Sequence, residues 1–223
     1  MGWIPFVLVF VAFFVTHMIP VRPHIRSRLV KVLGQQGFTL AYSTLSLAML
    51  CALIWATGHA PFVPLWDVAI WQKYVTLAAM LVVCLLLAIS VGRPNPFSFG
   101  GAKNDQFDPA HPGILRLTRH PLLIALALWA AVHLLPNGDL AHVILFGVFT
   151  GFALFGRKVI DQRMRRTQGE SEWLDMLSVV NAAPLFYRPR SVAKLAARLA
   201  GGFAGYLALI GAHPVFLGVS PLP

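Results

Sequence analysis

Residues 68–91 read VAIWQKYVTLAAMLVVCLLLAISV, a run of 24 residues with one charged side chain, Lys73. An α-helix rises about 1.5 Å per residue, so this stretch reaches about 36 Å and can cross the hydrocarbon core of a bilayer. Backbone polar groups find no water in that core, and they must therefore bond within the segment. The stretch predicts a transmembrane helix.

Five further apolar stretches have a comparable character. They lie near 3–20, 38–58, 118–136, 140–160 and 200–219, and the last is the weakest because it is rich in glycine and interrupted at Pro214. The chain is 57% hydrophobic and 12% charged, which leaves too few charged side chains to coat a soluble globule of 223 residues. We predict an all-α fold, a polytopic membrane helical bundle of about six transmembrane helices in one domain over 1–223.

The connections between these stretches alternate in charge. Lys and Arg occur in 21–37, 92–117 and 157–199, whereas 1–2, 59–67, 137–139 and 220–223 contain none. Basic connections face the cytoplasm, so both termini are expected outside the inner membrane of a bacterium, with the first span retained. The net charge of +10 thus reflects topology in a lipid bilayer, and no nucleic-acid partner is expected.

Two connections are more than linkers. Segment 92–117 is rich in Pro, Gly and Asn and is expected to fold irregularly, as loops that line sites often do. Segment 161–199 mixes Arg with Trp, Leu and Met, which predicts an amphipathic cytoplasmic segment on the anionic leaflet. Cys51 and Cys84 each lie inside an apolar run, so no disulfide is predicted.

Eight histidines in so apolar a chain are the main functional signal, because ionisable residues inside spans are costly. His17, His24, His111 and His120 lie towards the cytoplasmic side, and His59, His133, His142 and His213 towards the outside. Four of the eight fall within spans: His17, His120, His133 and His213. Each is either a satisfied interior side chain or a metal ligand.

Haem b is the metal cofactor that this composition permits most easily. A pair of imidazoles on facing helices can hold haem iron. The chain has no Cys-x-x-Cys-His motif for covalent haem and no cysteine pair at zinc-finger spacing. We therefore expect a non-covalent haem before zinc or a di-iron site.

The run Leu117–Thr118–Arg119–His120–Pro121 opens the fourth stretch. Thr118 can cap a helix and Pro121 suits a first turn, so this run is either a helix start with a snorkelling Arg119 or a polar site that binds an anionic cofactor group. Further along, Asp139 follows a tight turn and is expected to cap the fifth helix.

As an ordered set, these and other residues resemble the NnrU family of bacterial membrane proteins over about residues 1–190. The resemblance rests on His17 with Pro20, Gly37–Phe38 with Tyr42–Ser43, Trp55, Ala60–Pro61, Trp66, Asn95–Pro96, Thr118–Arg119–His120–Pro121, Trp129, His133–Leu134, Asn137–Gly138–Asp139, Asp161 with Arg163, and Pro184. The family name is tied to nitrite and nitric oxide reduction. The same domain is similar to that of 15-cis-zeta-carotene isomerase, a membrane haem b protein that isomerises a polyene.

The resemblance implies haem b held by histidines at His17 and His133, with a third matching histidine at His213. Two positions depart from the isomerase: Ala130 stands for a cysteine proposed as an exchanging ligand, and Phe152 for a further required histidine. These departures argue against ligand exchange and against isomerase activity of the same kind.

Depth along the spans favours a different pair. His17 lies at the inner end of its span and His133 at the outer end, so they would differ by about 20 Å in depth, whereas His120 matches His17 better. The second ligand is therefore His133 by resemblance or His120 by depth, with Arg119 as a further cofactor-binding candidate. The catalytic residues stay unassigned.

The function that follows is redox or isomerase chemistry on a hydrophobic, carotenoid-like substrate, or a role in denitrification. Two alternatives remain open. A non-catalytic accessory protein for nitrite or nitric oxide reductase expression or assembly would need no turnover. A membrane methyltransferase that uses S-adenosylmethionine is the other. The run Arg119–His120–Pro121, followed by Gln168–Gly169–Glu170 and Pro184, is similar to the layout of isoprenylcysteine and phospholipid methyltransferases.

Overall fold

The computed structural model describes residues 1–185, 189 and 191–223. Over these residues the chain forms seven α-helices: α1 (Trp3–Met18), α2 (Pro23–Gly58), α3 (Ile70–Ser90), α4 (Pro121–His133), α5 (Leu140–Gln168), α6 (Glu170–Ala182) and α7 (Val192–Leu217). Strands are absent from the described residues, where only an isolated bridge joins Pro64 and Asp139. The predicted all-α class is confirmed.

Four of these helices, α2, α3, α5 and α7, are long and apolar enough to cross a membrane, with mean hydropathies between 1.4 and 2.2. No more than 22% of the residues in their most apolar windows are buried inside the protein. Apolar side chains left uncovered on this scale require lipid around them, so the chain is a membrane protein. The helices α1 and α4 are also apolar but shorter, with 16 and 13 residues.

The chain divides into two compact units. The first comprises residues 1–66 and 139–145, and in it α1 packs against α2 around the buried residues Phe6, Ala56 and Ala141. The Asp139 carboxylate accepts a hydrogen bond from the His142 backbone N–H at 3.2 Å. Asp139 therefore caps the start of α5, as predicted.

The second unit comprises residues 67–138 and 146–223, and α3 packs against both α4 and α7 in it. The Thr76 hydroxyl, on α3, donates to the Val132 carbonyl of α4 at 2.9 Å. Gly202 of α7 lies so close to α3 that a Cβ atom there would be 2.8 Å from the Cβ of Ala88. The small residue allows the two helices to approach closely, which is how membrane helices associate.

Segment 21–37, which we expected to be a connection, is largely helical. The helix α2 begins at Pro23 and kinks at Gly34, whose φ of 72° belongs to the left-handed region. Arg, Leu and Lys are strong helix formers, so the basic stretch before Gly34 continues as helix outside the apolar span. The charge pattern located the end of the apolar span, and the helix itself starts earlier.

Segment 161–199, for which an amphipathic cytoplasmic segment stays the prediction, contains the end of one helix, a second helix and the start of a third. The helix α5 continues to Gln168, Gly169 breaks it at a φ of 93°, α6 follows, and α7 begins at Val192. Part of this prediction, namely Phe186, Tyr187, Arg188 and Arg190, lies outside the described residues.

Of the two remaining predictions about secondary structure, one is confirmed and the other is wrong. Segment 92–117 is irregular as predicted, with only two short 3-10 helices at Asn104–Gln106 and Gly113–Arg116. The expected interruption at Pro214 is wrong, because α7 runs on to Leu217. Pro214 has no N–H to bond the Ile210 carbonyl, and α7 nevertheless continues for three more residues.

Candidate functional site

Two groups of side chains in the second unit bring predicted site residues together. The first, which we call the polar cluster, consists of Ser98, Arg119, His120 and Asp161. The Arg119 Nη2 donates to Asp161 Oδ2 at 2.8 Å, and His120 Nε2 lies 2.9 Å from Asp161 Oδ1. One carboxylate on α5 thus accepts from two consecutive residues that precede α4.

His120 is 3% exposed, and both of its ring nitrogens have partners. Because an ionised carboxylate only accepts hydrogen bonds, Nε2 carries the hydrogen that bonds Asp161. In the neutral imidazole, Nδ1 then accepts from the Ser98 hydroxyl, 3.0 Å away. A metal bond to His120 would have to replace one of these two hydrogen bonds.

The irregular segment 92–117 holds the polar cluster in place. Asn95 donates from its side-chain amide to the Arg119 carbonyl at 3.0 Å, and its own N–H bonds the Asn104 side chain at 2.8 Å. The Thr118 hydroxyl accepts from the His120 N–H at 3.2 Å, while Pro121 occupies the first turn of α4. The run 117–121 is therefore both a helix start and part of a polar network.

Trp173 of α6 lies below two guanidinium groups. The Arg165 Cζ is 4.3 Å and the Arg119 Cζ 5.5 Å from the Trp173 ring centroid. The indole is fully buried in a core with Phe97, Leu115 and Val180. The cation–π contact of Arg119 with Trp173 adds an attraction to its ion pair with Asp161.

The second group lines a cavity of about 360 Å³, which we call the His133 cavity. Ligand pockets commonly have about 300 to 1,000 Å³, so the size suits a small organic molecule. Its lining is mainly apolar, with polar groups from α3, α4, α7 and the residues after α7. The lining residues are Val68, Lys73, Thr76, Leu77, Met80, His133, Pro136, Asn137, Tyr206, Leu209, Ile210, His213, Val219, Ser220 and Pro221.

Two imidazoles, His133 and His213, line this cavity, and each has its Nδ1 close to a backbone carbonyl. The Nδ1 of His133 lies 2.7 Å from the Trp129 carbonyl, and the Nδ1 of His213 lies 2.9 Å from the Val219 carbonyl. A carbonyl oxygen only accepts, so each Nδ1 carries the hydrogen and each Nε2 keeps a lone pair. This is the tautomer that metal-binding histidines usually adopt.

His17 belongs to the first unit. Its Nδ1 lies 2.9 Å from the Phe13 carbonyl, its ring stacks on Phe13 with 4.0 Å between centroids, and Tyr42 meets it edge-on at 6.1 Å. The Tyr42 hydroxyl also donates to the His17 backbone carbonyl at 3.1 Å. His17 therefore also keeps a lone pair on Nε2.

Of the predicted site residues, Arg119 and His120 belong to the polar cluster. His133 and His213 line the His133 cavity. Both groups lie in the second unit. His17 as a ligand, and the choice between His133 and His120 as its partner, stay predictions. Sequence reasoning did not assign Asp161, Ser98, Lys73 or Trp173 to a site. His213 could have been found, because the depth grouping already placed it with His133.

One of three comparisons with known proteins places the chain in a family. Neither the search of curated proteins nor the search of solved structures finds a match. The family model described as NnrU protein matches residues 5–221, nearly the whole chain. This membrane protein belongs to the NnrU family.

Proposed function

We propose that this protein binds haem b in the His133 cavity, where the Nε2 atoms of His133 and His213 would hold the group. The observation that carries the proposal is that two imidazoles line one apolar cavity with Nδ1 bonded to a backbone carbonyl and Nε2 available. Haem iron takes such nitrogens as axial ligands.

The lining suits the rest of the group as well. A porphyrin presents a broad apolar face, and Leu77, Met80, Leu209 and Ile210 offer aliphatic contact. His120 is a poorer ligand candidate, because its ring nitrogens already bond Asp161 and Ser98. Arg119 is engaged by the same carboxylate.

Haem in such a site supplies one-electron chemistry or a polarising iron centre. The chain's own residues would hold the group through His133 and His213 and exclude water with the aliphatic lining. We propose that this serves redox or isomerase chemistry on a hydrophobic substrate, or a step in nitrite and nitric oxide reduction. Membership of the NnrU family supports a role in the membrane and does not identify the reaction.

We also propose six spans in a bacterial inner membrane, with both termini outside. The apolar helices α1 and α4 supply the two spans beyond the four long ones. The alternation of basic and uncharged connections supports this count and orientation.

The test is the absorbance spectrum of detergent-purified protein, expressed with ample haem, for the wild type and single His→Ala variants. We expect a Soret band with a bis-histidine signature in the wild type, and its loss in His133→Ala and His213→Ala. His59→Ala is the matched control, because its Nδ1 also lies against a carbonyl of its own helix, that of Trp55, at 2.8 Å, and His59 does not line the cavity.

The outcomes separate the hypotheses. A wild-type protein without a Soret band would reject haem binding and favour the accessory role, which needs no cofactor. If His17→Ala and His133→Ala lose the signature while His213→Ala and His120→Ala keep it, the pair implied by the resemblance is correct and ours is wrong. Loss in both His17→Ala and His120→Ala, with the signature kept in His133→Ala and His213→Ala, would support the pair chosen by depth.

A further inference from the structure

Lys73 is the one Lys, Arg, Asp or Glu among the described residues that line the His133 cavity. It is the fourth residue of α3, which begins at Ile70, and its side chain is half-buried. The hydrogen bond that its Nζ makes is exposed, so the ammonium group is open to solvent and accessible to a ligand in the cavity.

The partner that Lys73 has is weak for an ammonium group. Its Nζ donates to the Leu222 backbone carbonyl at 3.0 Å. Among the described residues, the ion pairs that form involve other cations, and none includes Lys73. A carboxylate would make a stronger, charge-assisted bond than a neutral carbonyl does.

The segment that supplies this carbonyl is a short turn after α7. Gly218 has a φ of 72° and ends the helix, His213 bonds the Val219 carbonyl, and the Ser220 hydroxyl accepts from the Leu222 N–H at 3.1 Å. Lys73 connects α3 to this turn through the Leu222 carbonyl. The bond of Lys73 to Leu222 and the bond of His213 to Val219 involve different carbonyls of the turn.

We propose that Lys73 binds the carboxylate of an amphipathic ligand in the His133 cavity and exchanges the Leu222 carbonyl for it. A single cation suits a monovalent carboxylate better than a phosphate, which commonly gathers several donors. The location rests on the proposed function, since haem b carries two propionates and would present one to Lys73. A long-chain fatty acid has the same chemistry, an apolar body with a terminal carboxylate.

The experiment is a titration of cofactor-free, detergent-purified protein with hemin and with hemin dimethyl ester, followed by absorbance. The proteins are the wild type, Lys73→Met, Lys73→Arg and the control Lys103→Met, whose lysine lies in segment 92–117 outside the cavity lining. We expect Lys73→Met to weaken the binding of hemin about tenfold and to leave the binding of the ester unchanged, because only the free acid loses a charge-assisted bond. Lys73→Arg and Lys103→Met should bind hemin as the wild type does.

A second arm uses a spin-labelled long-chain fatty acid and its methyl ester. If hemin and its ester both fail to bind while the free acid binds in a Lys73-dependent manner, the carboxylate site is correct and the haem proposal is wrong. If Lys73→Met changes the affinity for none of these ligands, or lowers the affinity for acids and esters equally, Lys73 does not bind the carboxylate. This conclusion holds whatever the spectra show for haem.

Discussion

At the scale of single residues, Asp161 is the position where one change removes two interactions. Its carboxylate is 18% exposed and bonds Arg119 and His120. Asp161→Asn keeps the shape of the side chain but leaves Arg119 without its counter-charge. We expect the free energy of unfolding to fall by about 2 kcal/mol. This loss is smaller than that for a fully buried ion pair, because Arg119 is partly exposed. Thermal unfolding in detergent measures it.

Glu170→Gln is the matched control for this prediction. Glu170 is 70% exposed and lies 3.7 Å from Arg165, so the pair is exposed and long. Such pairs contribute little, and we expect a change below about 0.5 kcal/mol. Equal effects of Asp161→Asn and Glu170→Gln would show that the polar cluster is no more than a surface ion pair.

The sequence predicted part of the site at this scale. His120, Arg119 and His133 were singled out because polar groups are scarce in apolar stretches. The partners Asp161 and Ser98 were not, because they lie 41 and 22 residues from His120 in sequence and no local pattern joins them. His213 shared the predicted depth of His133, and only the packing of α7 against α3 brings both to one cavity.

At the scale of helices, the contact between α3 and α7 depends on Gly202. A Cβ there would lie 2.8 Å from the Ala88 Cβ and 3.0 Å from the Cys84 carbonyl oxygen, and backbone cannot yield as a flexible side chain does. Gly202→Ala should therefore push α7 from α3 and destabilise the protein by about 1 to 3 kcal/mol. Because α7 carries His213, hemin affinity measured by absorbance should fall as well.

The neighbouring glycine provides the control. A Cβ at Gly201 meets nothing within 4 Å, so Gly201→Ala should leave hemin affinity unchanged and stabilise the helix by up to about 1 kcal/mol. If Gly202→Ala unfolds at the wild-type temperature, the close approach of α3 and α7 is not a determinant of stability.

Hydropathy predicted where the apolar stretches lie but not where the helices end. The helix α2 extends beyond its apolar stretch because residues such as Arg28 and Lys31 favour helix as well as water. The helix α5 continues to Gln168 for the same reason and ends where Gly169 adopts a positive φ. A helix ends where the backbone leaves the helical conformation, and a change in side-chain polarity alone does not end it.

At the scale of the whole molecule, the number of spans depends on α1 and α4. The 16 and 13 residues of these helices extend about 24 and 20 Å, less than the roughly 30 Å of hydrocarbon. The residues that flank α4 extend the apolar stretch to 118–136, as predicted from hydropathy. Whether α4 crosses decides on which side the turn at Gly138 lies.

Cysteine labelling tests whether α4 crosses the membrane. In a background with Cys51→Ala and Cys84→Ala, single cysteines are placed by Asp67→Cys, Lys103→Cys and Gly138→Cys, and spheroplasts receive a membrane-impermeant maleimide. Six spans with both termini outside place 67 and 138 outside and 103 inside, so the first two should label and the third only after the membrane is opened. If α4 does not cross, 103 and 138 share one side and label together. That result would reject the six-span topology while leaving the crossing of α3, reported by 67 and 103, intact.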